Sequence, residues 1–163
     1  SHRQPPLQMV YVPVAFDRLL AALNQGEGDI VAAGVTVTDQ RASKVAFSRP
    51  YLSNVSEVLV THGDVVGIDT LADLSGRRIP VVRGSSYAKH LDELSDRLKQ
   101  QGMAPIVVEQ AAASLETEDM LELVNAGALT MTVADDHLAR LWVGVLPNIK
   151  VRNDLAINQG GEL

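Results

Sequence analysis

Short apolar runs alternate with apolar positions at helical spacing, and this alternation limits the fold more than any other feature of the chain. Residues 79–82 form a run of strand type. Tyr87, Leu91, Leu94 and Leu98 then recur three and four residues apart, and Gly102 closes that stripe. Residues 106–108 give the next strand. Thr117, Met120, Leu121 and Val124 give the next helical stripe, closed by Gly127. Residues 130–134 are again a strand. Asp135 is placed to cap a helix whose buried face is Leu138, Leu141, Trp142 and Val145, and which Pro147 stops before a short last strand at 149–151. The earlier half repeats the pattern. After an extended lead-in at 1–7 containing Pro5 and Pro6, residues 9–12 read as a strand. Phe16, Leu19, Leu20 and Leu23 form a helix ending near Gly26, and residues 30–33 form a buried strand. A helix joining two strands implies a parallel pair. Residues 55–60 add a strand with Val58 and Val60 on one face, and the glycine-containing loop 62–69 marks a boundary between two lobes. The expected class is α/β with mainly parallel sheets.

Composition narrows the function. A chain of 163 residues that is 46% hydrophobic can bury a sizeable core, and with 4% aromatics that core is mainly aliphatic. A formal charge of −6 and the absence of Lys/Arg runs argue against a nucleic-acid or anionic-membrane surface. No apolar stretch is long enough to cross a bilayer. With no cysteine there is no disulfide, no Cys-ligated zinc and no Cys nucleophile. No signal peptide is visible, and Ser1-His2 reads as a scar of tag removal, so that a targeting segment upstream is compatible with the sequence.

Ligands in open α/β sheets sit beyond the carboxyl ends of strands, beside helix N-termini. Three stretches meet that condition: Gly34 to Arg41 after the strand at 30–33, Arg83-Gly84-Ser85-Ser86 after 79–82, and Asp135-Asp136 after 130–134. Together they offer a close backbone approach at Gly34, hydroxyls at Thr36, Ser85 and Ser86, a forked donor at Arg41 and a carboxylate at Asp135. An α-amino acid needs that combination. Each stretch also has a purely structural use. Thr36, Thr38 and Asp39 are ordinary residues for capping a helix near Gln40, Arg41 is ordinary as a solvated charge, and serine and Asp135 are ordinary N-caps. The four histidines, His2, His62, His90 and His137, have no metal-ligand spacing, and His137 reads as an exposed first-turn residue. No metal, no cofactor, no phosphate loop and no nucleophile elbow is expected.

The order Phe16 to Leu23, Gly28-Asp29-Ile30, Ala33 to Arg41 and Phe47-Ser48-Arg49-Pro50-Tyr51, followed by Leu74 to Tyr87, resembles the family 3 extracellular solute-binding proteins, the periplasmic receptors for polar amino acids. Ser114 to Gly127, Val133 to Trp142 and Asn153 to Leu163 are similar to the solute-binding-like domain of the membrane-bound lytic murein transglycosylase F family. The resemblance implies a periplasmic-binding-protein type II-like fold, with an incomplete first lobe at 1–61 that includes an outgoing hinge strand. A second lobe spans 62–157, and the return to the first lobe starts at 158–163. It implies that Thr36, Arg41 and the Gly34 backbone take a ligand carboxylate. Ser85 and Ser86 approach it from the other lobe, and Asp135 accepts from its ammonium. Hinge closure around the ligand is the implied mechanism.

The leading expectation is a non-catalytic sensor domain of a periplasmic lytic transglycosylase, binding an amino acid or peptidoglycan-derived peptide. Its partner would be a fused catalytic domain. The alternative is a stand-alone amino-acid receptor of an ABC transporter, which would dock on a membrane permease. An effector domain of a transcription regulator would need a helix-turn-helix, and a transglycosylase active site needs a helical domain carrying a catalytic Glu. Neither is visible in the sequence.

Overall fold

A computed structural model describes residues 7–163. The lead-in at 1–6, with Pro5, Pro6 and His2, lies outside the described residues.

From residue 7 the described part begins with an irregular segment, a single 3-10 turn at Phe16–Arg18, and helix α1 (Leu19–Asn24). Helix α2 (Asp39–Ala42) follows, then strand β1 (Ser53–His62). A 3-10 turn at Leu71–Leu74 leads into β2 (Arg78–Val81), α3 (Ser86–Gln100), β3 (Val107–Gln110), α4 (Thr117–Asn125), β4 (Met131–Asp135), α5 (Asp136–Trp142) and β5 (Ile149–Glu162). The α/β class holds, but the sheets are mixed rather than mainly parallel. β2 and β3 pair in parallel, whereas β4, β1 and β5 form a sheet in that order with both pairs antiparallel. β1 therefore has antiparallel neighbours on both sides, β4 and β5. β5 is also far longer than the short strand expected at 149–151, because it runs the whole length of β1 through several register shifts.

β1 buries both faces. Leu59 packs with Met131 and Val133 of β4, Ile79 and Val81 of β2, and the α3 stripe Tyr87, Leu91, Leu94 and Leu98. Val58 and Val60 face the other way, onto Leu121 and Val124 of α4 and Ala139 of α5. A strand covered on both sides reads as a continuous apolar run, which is the pattern of residues 58–60. Each fully buried Leu or Val contributes about 1.5–3 kcal/mol of transfer free energy, so these two clusters hold the β1-centred unit together.

Within residues 7–52 the expected helices form, at Phe16–Arg18 with Leu19–Asn24 and at Asp39–Ala42, but the expected strands do not. Residues 9–12 and 30–33 form no strand, and Ile30 is 85% exposed. Among the described residues no strand pairs with either run, and an apolar segment without a sheet neighbour stays irregular because its backbone groups gain nothing from extension. The segment is attached at a few points instead. Val37 N–H donates to Glu162 O at 2.8 Å, Tyr51 N–H donates to Leu163 O at 2.8 Å, and Leu163 N–H donates to Leu52 O at 2.9 Å. In α5 the buried residue is Ala139, with Leu138 and Trp142 partly covered. Leu141 is 70% exposed and Val145 is exposed too. The helix ends at Trp142 and its small residue is the one pressed to the sheet, so Val145 is no longer in helical register with that contact.

Candidate functional site

Gly34, Thr36, Ser85, Ser86 and Asp135 line one pocket of about 290 Å³. Its remaining wall includes Phe16, Tyr51, Tyr87, Glu116, Glu118 and His137. The segment carrying Gly34 and Thr36 forms one side. The start of α3 and the β4–α5 junction form the other.

Arg41 is held elsewhere. Its guanidinium donates to Thr36 O at 2.8 Å and to Gly84 O at 2.9 Å, and lies 6.0 Å from the Phe16 ring centre. It faces a second cavity, of about 520 Å³, between α1, α2 and Gly84. Desolvation lowers its pKa, while Glu57 and Tyr87 oppose that shift. The Gly84 turn is tight here. Its φ is +73°, and a Cβ on it would lie 2.8 Å from Asp17 Cα, so only glycine lets the α1 region dock. Arg41 thus ties residues 16–41 to the turn before α3.

A buried network lies under the pocket. Ser86 Oγ donates to Glu57 Oε1 at 2.6 Å, and His90 Nδ1 lies 2.6 Å from Glu57 Oε2. Thr36 Oγ1 and Ser86 Oγ are 3.1 Å apart. Since Ser86 has a single hydroxyl proton and gives it to Glu57, Thr36 is the donor in that contact. Ser85 Oγ donates to Val82 O at 2.7 Å. Ser85 therefore holds the N-cap position of α3 without capping it, and the first amides of that helix have no side-chain partner. Thr38 does cap, accepting from Arg41 N–H at 3.3 Å at the start of α2.

Glu57 escaped the sequence reading. It is 2% exposed, inside the apolar run of β1, and directly opposite Asp135 in the β1–β4 register. A lone carboxylate between Val55 and Val58 was the available signal. His90, read as one of four scattered histidines, lies one helical turn after Ser86 and so reaches the same carboxylate.

Asp135 is 4% exposed, and its Oδ1 has no hydrogen-bond partner. It occupies the N-cap position of α5, but its side chain makes no capping bond. Its backbone N–H donates to Tyr87 Oη at 3.3 Å. Desolvation, then the neighbouring Glu57, push its pKa up to about 7. Burial also raises the Tyr87 hydroxyl well above its ordinary value. His137 is half-buried rather than exposed, lines the pocket, and leaves Nδ1 unpartnered. Among the described residues, no group of three His, Asp or Glu side chains converges as a metal site, and no helix is long and apolar enough to cross a membrane.

The arrangement offers donors at the α3 amides and an unpartnered buried acceptor at Asp135, which is the chemistry of a zwitterion site. The chain is 34% identical over 140 residues to a membrane-bound lytic murein transglycosylase F of Pseudomonas fluorescens, covering 85% of this chain and 27% of that protein. It is 34% identical over 137 residues to one from Desulfosudis oleivorans, covering 83% and 28%. The chain thus spans about a quarter of the length of the curated relatives it matches. Among solved structures, an ancestral arginine-binding protein bound to arginine aligns with TM-score 0.71 at 23% identity, covering 93% of this chain and 65% of that one. Holo ArgBP from T. maritima aligns with TM-score 0.70 at 23% identity, covering 93% and 61%. At that identity these two establish the fold alone. The family pattern for bacterial extracellular solute-binding proteins, family 3, matches residues 2–143, more than half of the chain, and the chain belongs to that family.

Proposed function

We propose that this chain is a non-catalytic small-ligand-binding domain, a periplasmic sensor of a lytic transglycosylase, and that it holds an amino acid or a peptidoglycan-derived peptide beside Asp135. The observation that carries this reading is the buried, unpartnered Asp135 Oδ1 in a pocket that also receives the uncapped start of α3. An ammonium would satisfy the one and a carboxylate the other. A volume of about 290 Å³ lies at the small end of ligand sites, which favours a ligand of amino-acid size. Gly34, Thr36, Ser85 and Ser86 complete the wall around it. Arg41 would join the carboxylate if it left Gly84. The lobes are taken as 1–61 and 62–157, with 158–163 returning toward the first. The transglycosylase relatives supply the fused partner in this reading, and a ligand bridging the lobes would report through their angle.

The test is titration calorimetry of the chain against the common amino acids and soluble muropeptides. Saturable one-to-one heat is expected, and Asp135→Ala is expected to abolish it. Absence of heat with every ligand in the folded wild-type chain refutes the proposal.

A further inference from the structure

Two residues behind the pocket wall are bonded to two that form it. Glu57 on β1 and His90 on α3 do not line the pocket, whereas Ser86 and Thr36 do. The four side chains stand in one row. Thr36 Oγ1 is 3.1 Å from Ser86 Oγ, Ser86 Oγ is 2.6 Å from Glu57 Oε1, and Glu57 Oε2 is 2.6 Å from His90 Nδ1. Each of these three bonds takes one proton. Hydroxyls rotate, so a row of this kind can run in either direction, and its charged end decides which. An imidazole nitrogen is a stronger base than a carboxylate oxygen, so the proton between His90 and Glu57 sits on Nδ1. Glu57 then has no proton to give and accepts at both oxygens. Ser86 must donate to Glu57, and Thr36 must donate to Ser86. The two donors are also what lets a carboxylate stand fully buried opposite Asp135, since each Glu57 oxygen has its own partner. The pocket's other hydroxyls stay out of the row. Ser85 donates to Val82 O, Tyr87 accepts from Asp135 N–H, and Tyr51 and Thr117 make no bond to Thr36, Ser86 or Glu57 among the described residues.

We propose that His90 and Glu57 are positioning residues of the pocket. Together they fix the direction in which the Ser86 and Thr36 hydroxyls point, so that this part of the wall presents lone pairs. The direction is set by the protein's own protons and holds for any occupant of the pocket. Glu57→Gln reverses the row. His90 still donates from Nδ1, so the glutamine turns its oxygen to His90 and its amide N–H to Ser86. Ser86 then donates to Thr36, and Thr36 turns its proton to the pocket.

Neutron diffraction from deuterium-exchanged crystals reads these directions. In the wild-type chain the Ser86 deuteron is expected on the line to Glu57 Oε1, and the Thr36 deuteron on the line to Ser86. In Glu57→Gln both are expected to turn. In solution the Thr36 hydroxyl proton of that variant, no longer bonded to Ser86, is expected to exchange with water about fivefold faster, the equivalent of one hydrogen bond. Long-range proton–nitrogen NMR spectra of the wild-type chain are expected to show His90 protonated at Nδ1. His90→Asn, whose Nδ2 stands in for Nδ1, is expected to keep the wild-type direction. A bare Nδ1 in the wild type, a wild-type Ser86 deuteron aimed at Thr36, or a row that does not turn in Glu57→Gln overturns the assignment. The first two are read on the wild-type chain, so they decide it even where the variant does not fold. Failure of ligands to bind refutes the proposed function and leaves the row standing, whereas a reversed row leaves the proposed function standing.

Discussion

Asp135→Asn changes one atom and removes one titration. In the folded chain the Asp135 carboxyl has its pKa raised from 3.8 to about 7, first by desolvation and then by Glu57. Below about pH 4 the proton is held in both folded and unfolded chains, and the group has no effect on stability. Between about pH 4 and pH 7 only the folded chain holds it, so raising the pH across that window destabilises the fold. Above about pH 7 the loss is complete. A pKa raised that far corresponds to about 4 kcal/mol in all, of which about 2.5–3 kcal/mol falls between pH 5 and pH 8. Urea denaturation at those two pH values reads this directly. With a slope near 2 kcal/mol/M, the wild-type midpoint falls by about 1 M, beyond whatever shift the variant shows. Asparagine mimics the neutral carboxyl, so Asp135→Asn is expected to lose that part of the pH dependence and to exceed the wild type in stability at pH 8. The same proton competes with a ligand ammonium. Affinity in the wild type is expected to fall about tenfold from pH 8 to pH 6. Equal midpoint shifts in wild type and variant would refute the assignment of the pKa and with it the burial argument.

Two further outcomes concern the contact between residues 16–41 and the turn before α3. Arg41→Ala removes two charge-assisted hydrogen bonds to Thr36 O and Gly84 O, and is expected to cost about 1–2 kcal/mol in urea denaturation, held down by the exposure of the Gly84 end. Unchanged stability would show that the tie carries no energy in solution. Gly84→Ala places a Cβ 2.8 Å from Asp17 Cα on a backbone with φ of +73°, so α1 is expected to lift away and its amides to exchange faster while α3 keeps its protection. Unaltered exchange in α1 would exclude that docking contact.

The sequence determined the α/β class and the elements from β2 to α5 by itself, because hydrophobic periodicity is local. The stripe Tyr87, Leu91, Leu94 and Leu98 is buried as its spacing requires, whatever lies opposite. Five of the six candidate residues line one pocket; for Ser85, Ser86 and Asp135 the placement is local, since a turn and a helix start follow a strand there, whereas among the described residues no strand precedes Gly34 and Thr36. Tertiary structure decided what depends on partners. Residues 9–12 and 30–33 have the composition of strands, yet a strand exists only beside another strand, and none is beside them among the described residues. Ser85 and Asp135 stand at N-cap positions, but side-chain direction gave Ser85 to Val82 O and left Asp135 Oδ1 without a partner. Glu57 and Asp135 are far apart along the chain and meet only through the antiparallel register of β1 and β4. That register sets Glu57 beside Asp135 and, together with burial, raises the Asp135 pKa, an effect that arises in space and leaves no mark on the spacing of residues along the chain.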